Sequence, residues 1–354
     1  MHKLTKIVLG VIFLLTITYS AFSQNEKLSA DWLFIYYMPY DNNLSELGEQ
    51  IIKMIGDNVR SESVIVTVQA EFSGSPGMNR YLITNNGIVT TKIEGEYSAS
   101  INTYREYLEW VKEKVNYNKL AVVFLDHGGK LDEICLDEKP VYQFLKIDDI
   151  SRVFDDIFGK KAIDLLFLQV CTKGVIEALY EFKDAAKYTL CSQIELGAPN
   201  DYYRDCFSNF SEKTFSSGRE IAELIVNYEA DNMYNSYTLV DNARMDSLFF
   251  LFSKLINHIK NKDIKLSSLP LGNFYFNERY WDIISLLENM PDSVFKTRLI
   301  DFINDELIIF HKISPIQYRK MNNYSGLSIS GVSDNKYDKL DFYRLLQPIR
   351  ELQK

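Results

Sequence analysis

His127 and Cys171 are the residues whose types and placement could do covalent chemistry. A thiolate beside an imidazole is an activated nucleophile with its own proton carrier. The histidine comes first, and 44 residues separate the two. Each stands where a continuous apolar run gives out. Leu120-Ala-Val-Val-Phe-Leu125 leads into Asp126-His127-Gly128-Gly129, and Ile163-Asp-Leu-Leu-Phe-Leu168 leads into Gln169-Val170-Cys171. Runs of this length, followed by helical patterns, read as parallel strands covered on both faces. Chemistry in open α/β sheets collects beyond the carboxyl ends of such strands. Taken singly, a histidine or a cysteine at a strand end is more often a satisfied polar cap or a small buried residue. Their joint order, spacing and flanking glycines favour a catalytic pair.

The elements that would position this pair alternate between strand and helix. Trp32–Met38 reads as a first core strand ending at Pro39. Asp41-Asn42-Asn43 then supplies helix-start chemistry, and Glu46, three residues after Asn43, resembles a capping box. Ser63–Ala70 is a second core strand, and Arg80–Ile93, broken at Asn85-Asn86-Gly87, reads as a β-hairpin. Helices are expected over Ile101–Val115, Ile147–Phe158 and Val175–Phe182, with a strand at Tyr188–Cys191. Beyond Gly218 the pattern is mostly helical, over Ile221–Tyr228, Ser247–Ile259 and Val294–Phe310, with a late strand at Gly326–Ser330. The expected fold is α/β, a mostly parallel sheet with helices on both faces. A catalytic core over 24–240 would carry a mainly helical part, 241–354, packed against it in the same unit.

The amino terminus reads as an address. Lys3 and Lys6 precede the apolar stretch Ile7–Ile17, and Ala21-Phe22-Ser23 offers a small-x-small cleavage pattern, so residues 1–23 are expected to be a signal peptide and the protein to be exported. The stretch is too short for a comfortable membrane span, so no integral span is expected after signal removal. The formal charge of −9 becomes −11 once those two lysines leave, which argues against nucleic acid as a partner. Four cysteines are too few for a disulfide framework, and Cys135, Cys191 and Cys206 are expected to be buried or neutral thiols, although one bridge among them is open. Cysteine and histidine never cluster at metal-ligand spacing. Asp132, Glu133, Asp137 and Glu138 could hold calcium, but without an EF-hand pattern they read as solvated charge, and no cofactor is required.

The chain resembles the clostripain family of cysteine peptidases, relatives of caspases, gingipains and legumains. The likeness rests on Tyr37-Met38 with Asp41-Asn42-Asn43-Leu44, on Asp126-His127-Gly128-Gly129, and on the stretch from Asp164 through Cys171, Gly174 and Glu177 to Tyr180-Glu181 and Ser192-Gln193. A late Ser325-Gly326-Leu327-Ser328-Ile329 also resembles a family segment. The order and spacing of histidine and cysteine match the caspase-like pattern. The resemblance implies a caspase-like fold, Cys171 as nucleophile and His127 as general base and acid. A helix amino terminus just behind the cysteine would lower its pKa, and the backbone N–H groups of Cys171 and Gly128 could hold the oxyanion.

One position departs from the family pattern. Family members carry an acidic residue two places before the cysteine, where it helps to recognise a basic side chain; here that place is Gln169. An amide cannot form the charge-assisted pair that makes such recognition strong. Asp201 or Glu195, in the loop that follows, could supply a substitute carboxylate. The expected activity is therefore an exported, monomeric cysteine endopeptidase acting on proteins or peptides, with cleavage after Arg or Lys as the family's preference. The rival readings are an inactive binding protein on the same fold and an exported Cys–His transpeptidase. Relatives are often cut between the two catalytic residues, which here points to self-cleavage near Lys146.

Overall fold

The computed structural model describes residues 27–75, 77–95, 97–259, 273–274, 278–316 and 324–351. The expected signal peptide lies outside them.

Nine strands form the main sheet, and five of them make its parallel centre: β9 (Ala186–Cys191), β8 (Ile163–Gln169), β5 (Val115–Leu125), β1 (Leu28–Tyr40) and β2 (Val64–Phe72), in that spatial order. Antiparallel pairs close both edges. Beyond β2 lie β3 (Met78–Thr84) and β4 (Gly87–Ile93), joined through Asn85-Asn86 as the turn signal implied; beyond β9 lie β10 (Ser236–Asp241) and β13 (Ile308–Ile313). Every residue of β2 and β8 is buried. That coverage explains why both read as unbroken apolar runs rather than alternating ones.

Successive residues of β1 serve opposite faces. Leu33, Ile35 and Tyr37 join one core with helices α2 (Ile101–Lys114), α3 (Ile147–Ile157), α4 (Ile176–Glu181) and α7 (Met245–Ile259). Trp32, Phe34, Tyr36 and Met38 join the other, against α1 (Ser45–Asn58), α5 (Tyr203–Ser208) and α6 (Gly218–Tyr228). No helix among the described residues is long and apolar enough to cross a membrane.

The helix expected over Val294–Phe310 ends early. Helix α9 covers Val294–Phe302, a π-turn follows over Ile303–Leu307, and the chain leaves as β13, antiparallel to β10. The run Leu307-Ile-Ile-Phe310 suits either state locally, and the open edge of β10 decides it. His311 thus lies on a strand, not on a helix. The carboxyl-terminal third contributes strands as well as helices, including β12 (Glu278–Asp282), which pairs with β14 (Ser328–Ser330) where a late strand was expected. It is tied to the front of the molecule: the buried Arg350 of the last helix, α10 (Asp341–Glu351), meets the buried Glu177 of α4 at 3.2 Å.

Candidate active site

The parallel pairing of β5 with β8 sets Leu125 opposite Gln169. His127 and Cys171 each lie two residues past that pair, so strand register alone brings them to one sheet edge. Their loops then touch. A Cβ on Gly128 would collide with the Cys171 carbonyl oxygen and lie 3.0 Å from its carbon and 3.2 Å from its nitrogen. Only glycine permits that approach. His127 and Cys171 line one cavity of about 140 Å³ with Tyr40, Leu44, Leu125, Gln169, Leu196 and Ala198.

Cys171 is buried, and its Sγ packs on the next loop. It accepts from the Leu196 N–H at 3.4 Å, and the thiol donates toward the Leu196 carbonyl at 3.7 Å. Thr172 follows with φ 57°, a left-handed conformation that a β-branched residue rarely adopts. Strain of that kind costs on the order of 1–3 kcal/mol and gathers at functional sites. The helix expected over Val175–Phe182 is present as α4, with Val175 and Phe182 as its caps. Ahead of it, Gly174 packs against the Gln193 backbone and donates to the Ser192 carbonyl at 2.7 Å.

The histidine is held from the other side. His127 is half-buried, and its Nε2 lies 2.7 Å from Asn43 Oδ1. An amide oxygen only accepts, so Nε2 carries the proton and Nδ1 keeps its lone pair. Burial pushes the imidazole pKa below its ordinary value, against an opposing pull from Glu138. The neutral, proton-accepting ring is favoured.

Asn43 was expected to cap a helix and does not. Leu44 is the N-cap of α1 and makes no side-chain cap bond. The polar turn instead serves the histidine loop, because Asn42 Nδ2 donates to Asp126 Oδ1 at 2.9 Å and to the Leu136 carbonyl at 2.9 Å. Hairpin β6 (Glu133–Asp137) to β7 (Gln143–Lys146) backs the same loop. Cys135 N–H donates to the His127 carbonyl at 2.9 Å and Gly129 N–H to the Glu133 carbonyl at 3.0 Å. In such a ladder the intervening Gly128 N–H turns away from the hairpin. Buried Lys173 completes the support, donating from Nζ to the Gly129 and Lys130 carbonyls at 2.8 and 2.9 Å. Sequence reading missed both Asn43 and Lys173 in these roles. Three consecutive polar residues after a buried strand exceed what one helix cap uses, which was a usable signal for Asn43; Lys173 left none.

Gln169 is sealed in a polar network. Its Nε2 donates to Asn200 Oδ1 and, at 3.0 Å, to Tyr203 Oη, while its Oε1 accepts from Tyr202 Oη at 2.8 Å. Asn200 donates onward to Glu229 at 2.7 Å. The other pocket candidates do not join the cavity lining. Glu195 is exposed, and half-buried Asp201 has its N–H on Glu229 Oε1 at 3.0 Å and its carboxylate 3.9 Å from Arg204.

The four acidic residues considered for calcium do not converge. Asp132 lies 3.4 Å from Lys146 and 3.0 Å from Lys339, Glu133 pairs with Lys146 at 2.7 Å, and Asp137 accepts from Ser98 and Ala99. Glu138 is exposed. Among the described residues no group of three or more His, Cys, Asp or Glu is arranged to hold a metal ion. Cys135, Cys171, Cys191 and Cys206 are all buried and unbridged.

No curated relative matches in sequence. In architecture the chain is similar to a secreted C11 cysteine protease of Bacteroides thetaiotaomicron in complex with an irreversible peptide inhibitor, with a TM-score of 0.72 at 14% identity over 90% of this chain and 99% of that one. It is also similar to an inactive zymogen C11 protease from Parabacteroides distasonis, with a TM-score of 0.66 at 16% identity over 92% of this chain and 99% of that one. Identities this low speak for the fold alone. The family itself is shown by a family model that matches residues 36–301, well over half the chain and both loops of the site: the protein belongs to the clostripain family, peptidase C11, of cysteine peptidases.

Proposed function

We propose that this peptidase is exported and hydrolyses peptide bonds through Cys171 and His127. The observation that carries the reading is the backbone contact between the two strand-end loops, which brings His127 and Cys171 to one cavity, with His127 Nε2 held by Asn43 so that Nδ1 keeps a lone pair. Cys171 Sγ attacks the peptide carbonyl carbon and its proton passes to His127. The imidazolium then protonates the departing amine as the C–N bond breaks, leaving a thioester. Water, deprotonated by the same imidazole, attacks the thioester, and the carboxylic acid leaves as the thiolate is restored. The Gly128 and Cys171 N–H groups are assigned to the oxyanion. No step is assigned to a metal or cofactor. Export is supported by the basic and apolar leader at residues 3–17.

Labelling of Cys171 by iodoacetamide at neutral pH, lost in His127→Ala, is the expected outcome. Equal labelling in both proteins, with no peptide hydrolysis, would favour the inactive binding fold. Product masses in the presence of an added amine separate hydrolysis from transpeptidation.

Self-cleavage near Lys146 meets an obstacle. Lys146 lies on β7, paired with Glu133, while the exposed part of this connection is 138–142. A cut at Lys146 requires β7 to open first. Amino-terminal sequencing of the wild type beside Cys171→Ala reads whether and where the chain is cut.

A further inference from the structure

We propose that the pocket beside Cys171 takes an uncharged side chain before the scissile bond, in place of the Arg or Lys that the family resemblance implies. This rests on the peptidase reading above and concerns its substrate class. The cavity next to the thiol is walled by Tyr40, Leu44, Leu125, Leu196 and Ala198, with Gln169 as its amide. Both hydrogens of the Gln169 amide are engaged, by Asn200 and Tyr203, and its oxygen is engaged by Tyr202. Turning that amide toward a substrate would strand three buried partners, and an amide carries no charge with which to repay a desolvated cation.

The neighbouring carboxylates do not fill the gap. Glu195, Asp201 and Glu138 lie outside the cavity lining. Glu229, one link behind Gln169, already accepts from Asn200, Tyr237 and the N–H groups of Asp201 and Ala230. Asp126 does line the cavity, but its Oδ1 accepts from Asn42 and its Oδ2 is sealed from solvent. A lysine or arginine entering here would lose its water without gaining an accessible counter-charge, whereas an apolar or amide side chain meets leucine, alanine and tyrosine.

The test uses peptidyl electrophiles that alkylate the active-site thiol and differ only at the residue that enters this pocket: Leu, Gln, Lys or Arg. Labelling of Cys171 is followed by intact mass. Tenfold or faster labelling by the Leu or Gln probe than by the Lys and Arg probes is expected. Ala198→Asp, which adds a carboxylate to the lining, should raise the Lys-probe rate at least tenfold. Equal or faster labelling of the wild type by the Lys or Arg probe overturns the proposal while leaving the peptidase reading intact. No gain in a folded Ala198→Asp protein overturns this cavity as the reading pocket. If no peptidyl probe labels Cys171 although iodoacetamide does, the peptidase reading falls and takes this one with it.

Discussion

The two sides of the site are built from similar polar residues and behave in opposite ways. On the histidine side, Asn42, Asn43 and Lys173 fix a loop but leave one ring nitrogen of His127 with its lone pair, and Asn43 itself is exposed. On the pocket side, Gln169, Asn200, Tyr202, Tyr203 and Glu229 are linked side chain to side chain and are buried. A buried network that is fully satisfied rigidifies its surroundings and has little left for a ligand. A network that ends on a titratable ring with a vacant valence can move a proton. Under the proposed mechanism, position in the hydrogen-bond web, more than residue type, separates machinery from scaffold.

The largest effect should come from removing the ring itself. His127→Ala is expected to lower kcat/KM by 10²–10⁴-fold, the usual range for a lost general base. Retention of more than a tenth of the activity would break the contrast at its root.

Asn43→Ala should lower kcat by about tenfold, on the scale of one hydrogen bond of about 1.5 kcal/mol, with KM little changed. The pH profile distinguishes orientation from simple stability. The acid limb of kcat/KM in the wild type should lie below the ordinary imidazole value, because burial disfavours the charged ring. Asn43→Asp keeps an acceptor at Nε2 and adds an anion, so it should restore rate and move that limb to higher pH. A profile identical in all three proteins would reduce Asn43 to a surface contact.

Tyr202→Phe probes the pocket side. It removes the bond to Gln169 Oε1 and the 3.1 Å contact with Tyr36 Oη. Stability should fall by about 1–3 kcal/mol, as expected when buried polar groups lose a partner, while the acid limb stays where it is. A shifted limb would show that the two networks are coupled.

A last effect, on stability alone, concerns Glu71, paired with Pro39 at the end of β1. Burial, reinforced by Asp137 and Asp41, pushes Glu71 up to about 7, while Ser98 bonds oppose it. The folded state thus holds a proton between the ordinary carboxylate range and about pH 7, where the unfolded chain has released it. Stability should fall as pH rises through that window and level off above it, by on the order of 2 kcal/mol. Glu71→Gln should flatten the slope in thermal melts at pH 5, 6, 7 and 8; an unchanged slope would assign the pH dependence to other groups.

Most strands and helices of the amino-terminal two thirds were legible in the sequence, as was the placement of His127 and Cys171 just past two neighbouring strands. Those features are written in short-range terms: apolar runs for covered strands and a turn dipeptide for the hairpin. Chain order and strand ends were enough to place the pair at one sheet edge. The sequence also marked Gln169 as a departure but left Asp201 and Glu195 open as substitutes. The rest depended on partners far along the chain. Asn43 reads locally as a helix start, and only a residue 84 positions away gives it a different bond. Gln169 reads as a pocket amide until Tyr202, Tyr203 and Asn200 close over it. The segment after Phe302 reads as helix until the edge of β10 offers a ladder. A side chain's type is fixed by the sequence, but which of its hydrogen bonds remains unmade is fixed by what folds against it, and that difference decides whether the group can react.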